Sequence, residues 1–205
     1  MFYEAPYDPT RYPDGVGTAD IGETLGYFGM PDPTKYHLRF DDFNALAGWT
    51  ATTTAVANGA GGLATITAAG SIASGTSWRF DSLYRQFLKC RAANAGATTN
   101  LLVGFVDVVA APTTGVYVTA VNGLFTLNVG GVTATYQRSF TAAEFVVFGF
   151  AHNPAKDRVE LYVDNKLVAS VSDATLPTGV DLILAAKATT ADATLDYLLA
   201  AFERP

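Results

Sequence analysis

The chain has 205 residues, a net charge of −6, 49% apolar residues and only 16% charged ones. That is too hydrophobic for a disordered polymer and long enough to bury a sizeable core. The acidic balance without any Lys/Arg cluster argues against nucleic acid as a partner, no apolar run approaches the roughly 20 residues of a membrane span, and the single cysteine excludes an internal disulfide.

Residues 1–35 differ from everything that follows. They hold five of the nine prolines, four of the ten tyrosines, and six acids against two bases. Proline fixes φ and removes a donor, so this stretch favours extended conformations. Only GTADIGETLGYFG offers a short helix, with Thr18 or Asp20 as its cap. The opening MFYEAPYDPTRYPDG has no basic stretch leading into an apolar core and does not read as a secretory signal. Disordered tails are poor in aromatics, whereas Phe2, Tyr3, Tyr7, Tyr12, Tyr27 and Phe28 are rings that need a surface. The segment reads as an arm that docks through these six residues on a neighbouring subunit; folding back on its own domain is the alternative.

From Tyr36 to Pro205 the sequence reads as β. YHLRF, LATITAA, SWRFDS, RQFLKCRA, NLLVGFVDVVA, GVYVTAV, LFTLNVG, VTATYQRS, FVVFGFA, RVELYVD, KLVASV, VDLILAAKA and ATLDYLLAAF are rich in Val, Thr, Ile and aromatics, and short Gly, Asn, Pro or Thr breaks separate them. Strands at near-regular spacing without a long helical pattern predict an antiparallel two-sheet sandwich over about 38–203. Asn122-Gly123 and Asp164-Asn165 sit between period-2 runs and predict two-residue hairpins, because these residues tolerate left-handed backbone. Alternation puts Phe40, Leu101, Val103, Phe105, Phe148, Phe150, Leu161, Val163 and Leu195 inward. Sparse Lys and Glu, with Ala, Thr and Gly in the exposed positions, fit a protein packed among others.

Reactive chemistry is hard to find. Cys90 lies in QFLKCRA and reads as a small buried hydrophobe. His37 and His152 belong to no metal-ligand spacing, and His152 in AHNPAKDR reads as a loop residue. No Gly-x-Ser-x-Gly elbow, no Glu-x-Asp-x-x-Glu strand, no phosphate loop and no nucleotide fingerprint occurs. Asp41-Asp42 could offer oxygen to calcium, but adjacent acids on a strand point to opposite faces; Glu160 and Asp164 read as solvated strand and turn residues. The expectation is a protein that is not an enzyme, with no cofactor and no catalytic or metal residues.

FDDFN followed by GW (residues 40–44 and 48–49), FVVFGFAHNPAKDRVELYVDNKLVASVSDATLPTG (145–179) and ATLDYLLAAF (193–202) resemble the opening, the late strands and the last strand of the concanavalin A-like, laminin-G-like jelly rolls. The resemblance implies an all-β, two-sheet jelly roll over 36–205 behind the 1–35 arm. The family's acidic catalytic strand and calcium loop cannot be located here, so no site residue carries over. The acidic Pro/Tyr arm before a low-charge body also resembles the decoration (cement) proteins of tailed-bacteriophage capsids. That resemblance implies a virion structural protein on the outer surface of a capsid or tail, made in the host cytoplasm. Its partners would be other virion proteins, the major capsid protein among them, in a homo-oligomeric or high-copy assembly without nucleic acid or membrane. The alternative is a carbohydrate-binding module of a tail or head fibre. Sugar sites need exposed aromatic platforms with polar rims. Trp49, Trp78, Tyr84, Tyr117 and Tyr136 are the rings available; Trp78 and Tyr117 are the platform residues this alternative would use, although Trp49 and Trp78 also read as core or sheet-edge residues.

Overall fold

The computed structural model describes residues 35–43, 45–52, 55–58 and 62–204. The arm, with Phe2, Tyr3, Tyr7, Tyr12, Tyr27 and Phe28, lies outside the described residues. The described chain forms β1 (Tyr36–Asp41), β2 (Trp49–Thr52), β3 (Ala55–Asn58), β4 (Leu63–Ile66), β5 (Ser71–Trp78), β6 (Gln86–Asn94), β7 (Asn100–Val106) and β8 (Gly115–Val121). It continues as β9 (Leu124–Val129), β10 (Val132–Gln137), β11 (Val146–Asn153), β12 (Arg158–Val163), β13 (Lys166–Ser172), β14 (Leu182–Thr189) and β15 (Ala193–Glu203).

These strands make two antiparallel sheets. The first runs β13-β12-β11-β6-β15-β4-β3, with β1 pairing the C-terminal half of β15; the second runs β10-β9-β8-β7-β14-β5-β2. Sequence neighbours supply the outer halves through hairpins, and strands distant in sequence supply the middles, which is jelly-roll connectivity. One core lies between the sheets, contributed by both: Leu88, Cys90, Phe148, Phe150 and Leu161 from the first, Val103, Phe105, Val118, Leu127 and Leu184 from the second. Ring contacts concentrate at one end, where Phe105 meets Phe80, Phe150 and Phe202 with centroids 5.2–6.2 Å apart at steep angles, an edge-to-face geometry worth about 0.5–1.5 kcal/mol per pair beyond burial. Cys90 is fully buried and burial pushes its thiol pKa well up, as befits an inert core residue.

Both expected hairpins form. Asn122 and Gly123 have φ of 48° and 75°, Asp164 and Asn165 φ of 50° and 61°, so each turn has positive φ at both central residues. Gly123 has a second reason to be glycine: a Cβ there would lie 2.3 Å from the Arg138 carbonyl oxygen. ATLDYLLAAF is strand throughout.

Three expectations about the strands are corrected, and two strands appear that the sequence did not mark. Phe40 is 41% exposed, because pairing with β15 sets it opposite Leu199 on the outward side; Phe43, just past the strand, is fully buried in its stead. The other eight predicted core residues are buried. The strand expected at SWRFDS instead ends at Trp78 and begins at Ser71, since SIASGTS, poor in large apolar residues, is held by ladders on both sides. β2 and β3, among small residues, carry no apolar alternation and escape a pattern search. His152 is in β11 rather than a loop, and is fully buried. Its Nδ1 donates to the Tyr84 carbonyl (2.9 Å) and its Nε2 lies 3.2 Å from Asp173 Oδ2.

Candidate functional site

Register across the second sheet builds a grid on its outward side. Inward Leu101, Val103 and Phe105 of β7, Val116 and Val118 of β8, and Phe125 and Leu127 of β9 leave the alternate residues facing out. Two rows cross the strands: Lys187–Leu102–Thr119–Thr126–Thr135, and Ala185–Gly104–Tyr117–Asn128–Thr133. On β14 and β7 the rows carry Ala185, Gly104 and Leu102 beside Lys187, and on β8, β9 and β10 they are polar. Tyr117 stands on the boundary, packed on the apolar cluster of Leu102, Val106 and Ala185. Gly104 makes its position possible, because a Cβ there would come within 2.4 Å of Tyr117 Cα and Cβ. Tyr117 is half-buried, and Thr133 and Thr135 are exposed.

The loop 107–114 borders this grid beyond β7. Asp107 ties it down: Oδ1 accepts from the Thr113 and Thr114 N–H groups (3.0 and 3.1 Å), and Oδ2 accepts from the Thr113 hydroxyl. Partial desolvation opposes the charge of Asp107, but the Thr113 hydroxyl and the backbone donors prevail and hold its pKa at about 2. Lys187 Nζ donates to the Ala110 carbonyl and fixes the same loop. Desolvation first, then the Asp107 charge, raises the Tyr117 pKa, so the phenol stays protonated and can donate at neutral pH. Asn128 Oδ1 accepts from Gly131 N–H (3.0 Å), which orients its amide. The site is thus a ring beside hydroxyls and an amide on a rigid sheet. Its capacity is for hydrogen bonding beside an apolar ring.

The other predicted rings are elsewhere. Trp78, at the end of β5, turns to the inter-sheet side, stacked on Phe202 at 4.6 Å and edge-on to Phe105 at 5.8 Å; its indole N–H is buried without an acceptor. It and Tyr117 therefore lie on opposite sides of one sheet and are not brought together. Trp49 is buried against Phe43, with the Arg39 guanidinium 4.3 Å from its ring centre. Its indole N–H donates to Asp41, whose other oxygen accepts from Phe43 N–H (2.8 Å), so Asp41 is a local brace. Tyr84 is half-buried, and Tyr136 packs on the core from β10. His37 is exposed on β1.

Among the described residues, Glu160, Asp164 and Asp196 each have a basic partner of their own. Glu160, expected as a solvated strand residue, is instead fully buried, because Arg158 Nη2 at 2.7 Å and the Tyr162 hydroxyl, which donates at 2.7 Å, satisfy its carboxylate. Asp164 is an exposed turn residue 3.4 Å from Arg138. Asp196 pairs with Arg91 at 2.6 Å. Glu160 and Asp196 share the outward side of the first sheet, but β11 and β6 lie between their strands, so their backbones are roughly 14 Å apart at the usual strand spacing. Among the described residues no group of three His, Cys, Asp or Glu could hold a metal ion. A small depression under residues 138–144 is lined by Asn94, Phe125, Arg138, Phe140 and Glu144. Arg138 bonds Glu144 there at 2.7 Å, and Asn94 donates to the Thr99 and Ala120 carbonyls, which reads as loop anchoring.

The threonine grid is not visible strand by strand. Its signal is the pair of tight turns, Asn122-Gly123 and Gly130-Gly131, which fix the register of β8, β9 and β10 and so align Thr119, Thr126 and Thr135.

No family model matches the sequence, and no curated protein matches it. Solved structures do match in shape. The carbohydrate recognition domain of Emp47p superposes with a TM-score of 0.65 at 13% identity, covering 86% of this chain and 100% of that one. The Crh5 transglycosylase in complex with NAG gives 0.61 at 11% identity, covering 82% and 83%. The exoplasmic/lumenal domain of VIP36 in its Ca2+/Man3GlcNAc-bound form gives 0.61 at 10% identity, covering 82% and 91%. At such identities the likeness concerns architecture, and together with the two antiparallel sheets it settles one point: the body of this chain is a concanavalin A-like β-sandwich.

Proposed function

We propose that this chain is a carbohydrate-binding module without catalytic activity, which lays a glycan across the Tyr117 face of the second sheet. The observation that carries the reading is the placement of Tyr117 on the boundary between an apolar patch and rows of Thr and Asn side chains. A sugar offers an apolar C–H face and a rim of hydroxyls, so it needs a ring to stack on and donors and acceptors beside it. Tyr117 supplies the ring. Thr119, Thr126, Thr133 and Thr135 supply hydroxyls, Asn128 an amide, and the loop 107–114 one edge. Two of the structural neighbours are a carbohydrate recognition domain and a glycan-bound lumenal domain, which supports the same reading.

The transglycosylase and glycosidic hydrolase neighbours raise the enzyme alternative. The separation of Glu160 from Asp196 and their occupation by Arg158, Tyr162 and Arg91 disfavour it. A place on a virion surface has no counterpart among these neighbours. The test is a glycan array followed by calorimetry on the purified chain. Binding that Tyr117→Ala weakens tenfold or more, without turnover of the bound glycan, is expected. Hydrolysis or transfer abolished by changing Glu160 or Asp196 would replace this reading with an enzymatic one.

A further inference from the structure

The edge strands of the two sheets are not alike. An open strand edge invites another chain to pair, and proteins guard such edges with short strands, charges, prolines or bulges. Of the described edge strands, β2 and β3 have four residues each, and β1 carries Arg39 and Asp41. β13 starts with Lys166 and bulges at Val168, where its register with β12 shifts. β10, at the end of the second sheet, has none of these devices. Its six residues, VTATYQ, hold no charge and no proline, and their register with β9 is unbroken. No charged residue occurs between Asp107 and Arg138, so β8, β9, β10 and both of their turns are uncharged. The two-residue Gly130-Gly131 turn makes Val129 and Val132 a hydrogen-bonded pair. Alternation then gives Val132, Ala134 and Tyr136 to β9 and turns the backbone N–H and C=O groups of Thr133, Thr135 and Gln137 to the open edge. The Arg138 N–H, which donates to the Gly123 carbonyl at 3.0 Å, keeps the same phase at the far end. Thr133, Thr135 and Gln137 are exposed, and among the described residues no strand pairs with this edge. β13 packs on the inner side of both β9 and β10 rather than beyond β10.

We propose that this edge pairs with the β10 of a second copy, antiparallel about a two-fold axis, so that two second sheets become one. The strand is its own complement. With Thr135 on the axis, Thr133 of one copy meets Gln137 of the other, and all three outward residues exchange backbone hydrogen bonds. On the inner side Ala134 of one copy then meets Tyr136 of the other, which adds apolar contact. The uncharged flank brings no like charges together across the axis, although the whole chain carries −6. A closed two-fold also uses up the edge and stops at two copies. One strand pair falls below the roughly 1,200 Å² of standard complexes, so the dimer should be reversible and of micromolar affinity or weaker. The axis is perpendicular to the sheet, so both threonine faces look to the same side. Their Tyr117 strands stand five strand spacings, roughly 24 Å, apart. That arrangement suits a surface that repeats its ligand, where two weak sites act together. The pairing itself stands on the edge and does not depend on the glycan reading.

The test uses the full chain. Sedimentation velocity from roughly 1 to 1,000 µM, the range suited to a small interface, should show the mass rise reversibly from one chain to two. In 15N spectra the Thr133, Thr135 and Gln137 amides should shift over the same concentrations, and those of β2 and β13 should not. Thr135→Pro removes an outward N–H that β9 does not use, so it should hold the chain monomeric with a nearly unchanged urea midpoint. Thr133→Lys sets a charge at the edge and should weaken the dimer about tenfold or more; it decides the matter where the proline variant fails to fold. A chain that stays monomeric throughout would overturn the proposal and leave the edge to a strand of another sequence. So would a dimer that both substitutions leave intact, or a mass that climbs past two copies.

Discussion

The two sheets of this sandwich have unlike outer faces. That of the first is apolar and aromatic, and buries a carboxylate between an arginine and a tyrosine. The other carries rows of threonine, one asparagine and one half-buried tyrosine, and part of it is open to water. The inward residues of both are the same kind of Val, Leu and Phe, so the core says nothing about function. A buried outer face reports what the molecule packs against; a polar one with a single seated ring reports what it can recognise.

That contrast can be broken by mutation. The largest effect is expected on the first face. Glu160→Ala removes the acceptor shared by the partly exposed Arg158 and the buried Tyr162 hydroxyl, and should cost about 3 kcal/mol in urea unfolding. Next, Gly104→Ala sets a Cβ against the backbone of Tyr117; about 2 kcal/mol of stability should go, and glycan affinity with it, because the ring must move. Smaller still is Thr133→Ala, exposed on the second sheet. Stability should change by no more than about 0.5 kcal/mol, while glycan affinity falls a few-fold, which separates recognition from folding. The smallest effect is electrostatic. The folded Asp107 pKa of about 2 lies below the unfolded value near 3.9, so its contribution to holding the loop 107–114 is complete above pH 4 and is lost as the pH falls through about 2. An NMR titration should show the Thr113 and Thr114 amides moving with that low midpoint.

Local rules made much of the fold legible. Asn122-Gly123 and Asp164-Asn165 require positive φ and mark their hairpins, and alternation in NLLVGFV, GVYVTAV and RVELYVD marks the core face. What resisted was set by partners distant in sequence. Phe40 alternates like a core residue, but β15 at the far end of the chain decides which way β1 faces. His152 looks like a loop residue until Tyr84 and Asp173 are brought to it. Trp78 and Tyr117 are both platform candidates in the sequence, with Trp78 also reading as a core or sheet-edge residue; the sheet shows Trp78 turned inward onto Phe202 and Tyr117 outward among hydroxyls. The polar grid depends on register, which no single strand contains.

The most direct measurement is calorimetric titration of the native chain and of Tyr117→Ala with a glycan selected on an array, each with its urea midpoint determined in parallel. The account predicts measurable binding by the native chain and a loss of tenfold or more in the variant with a nearly unchanged midpoint. Equal affinity in the two proteins would contradict it.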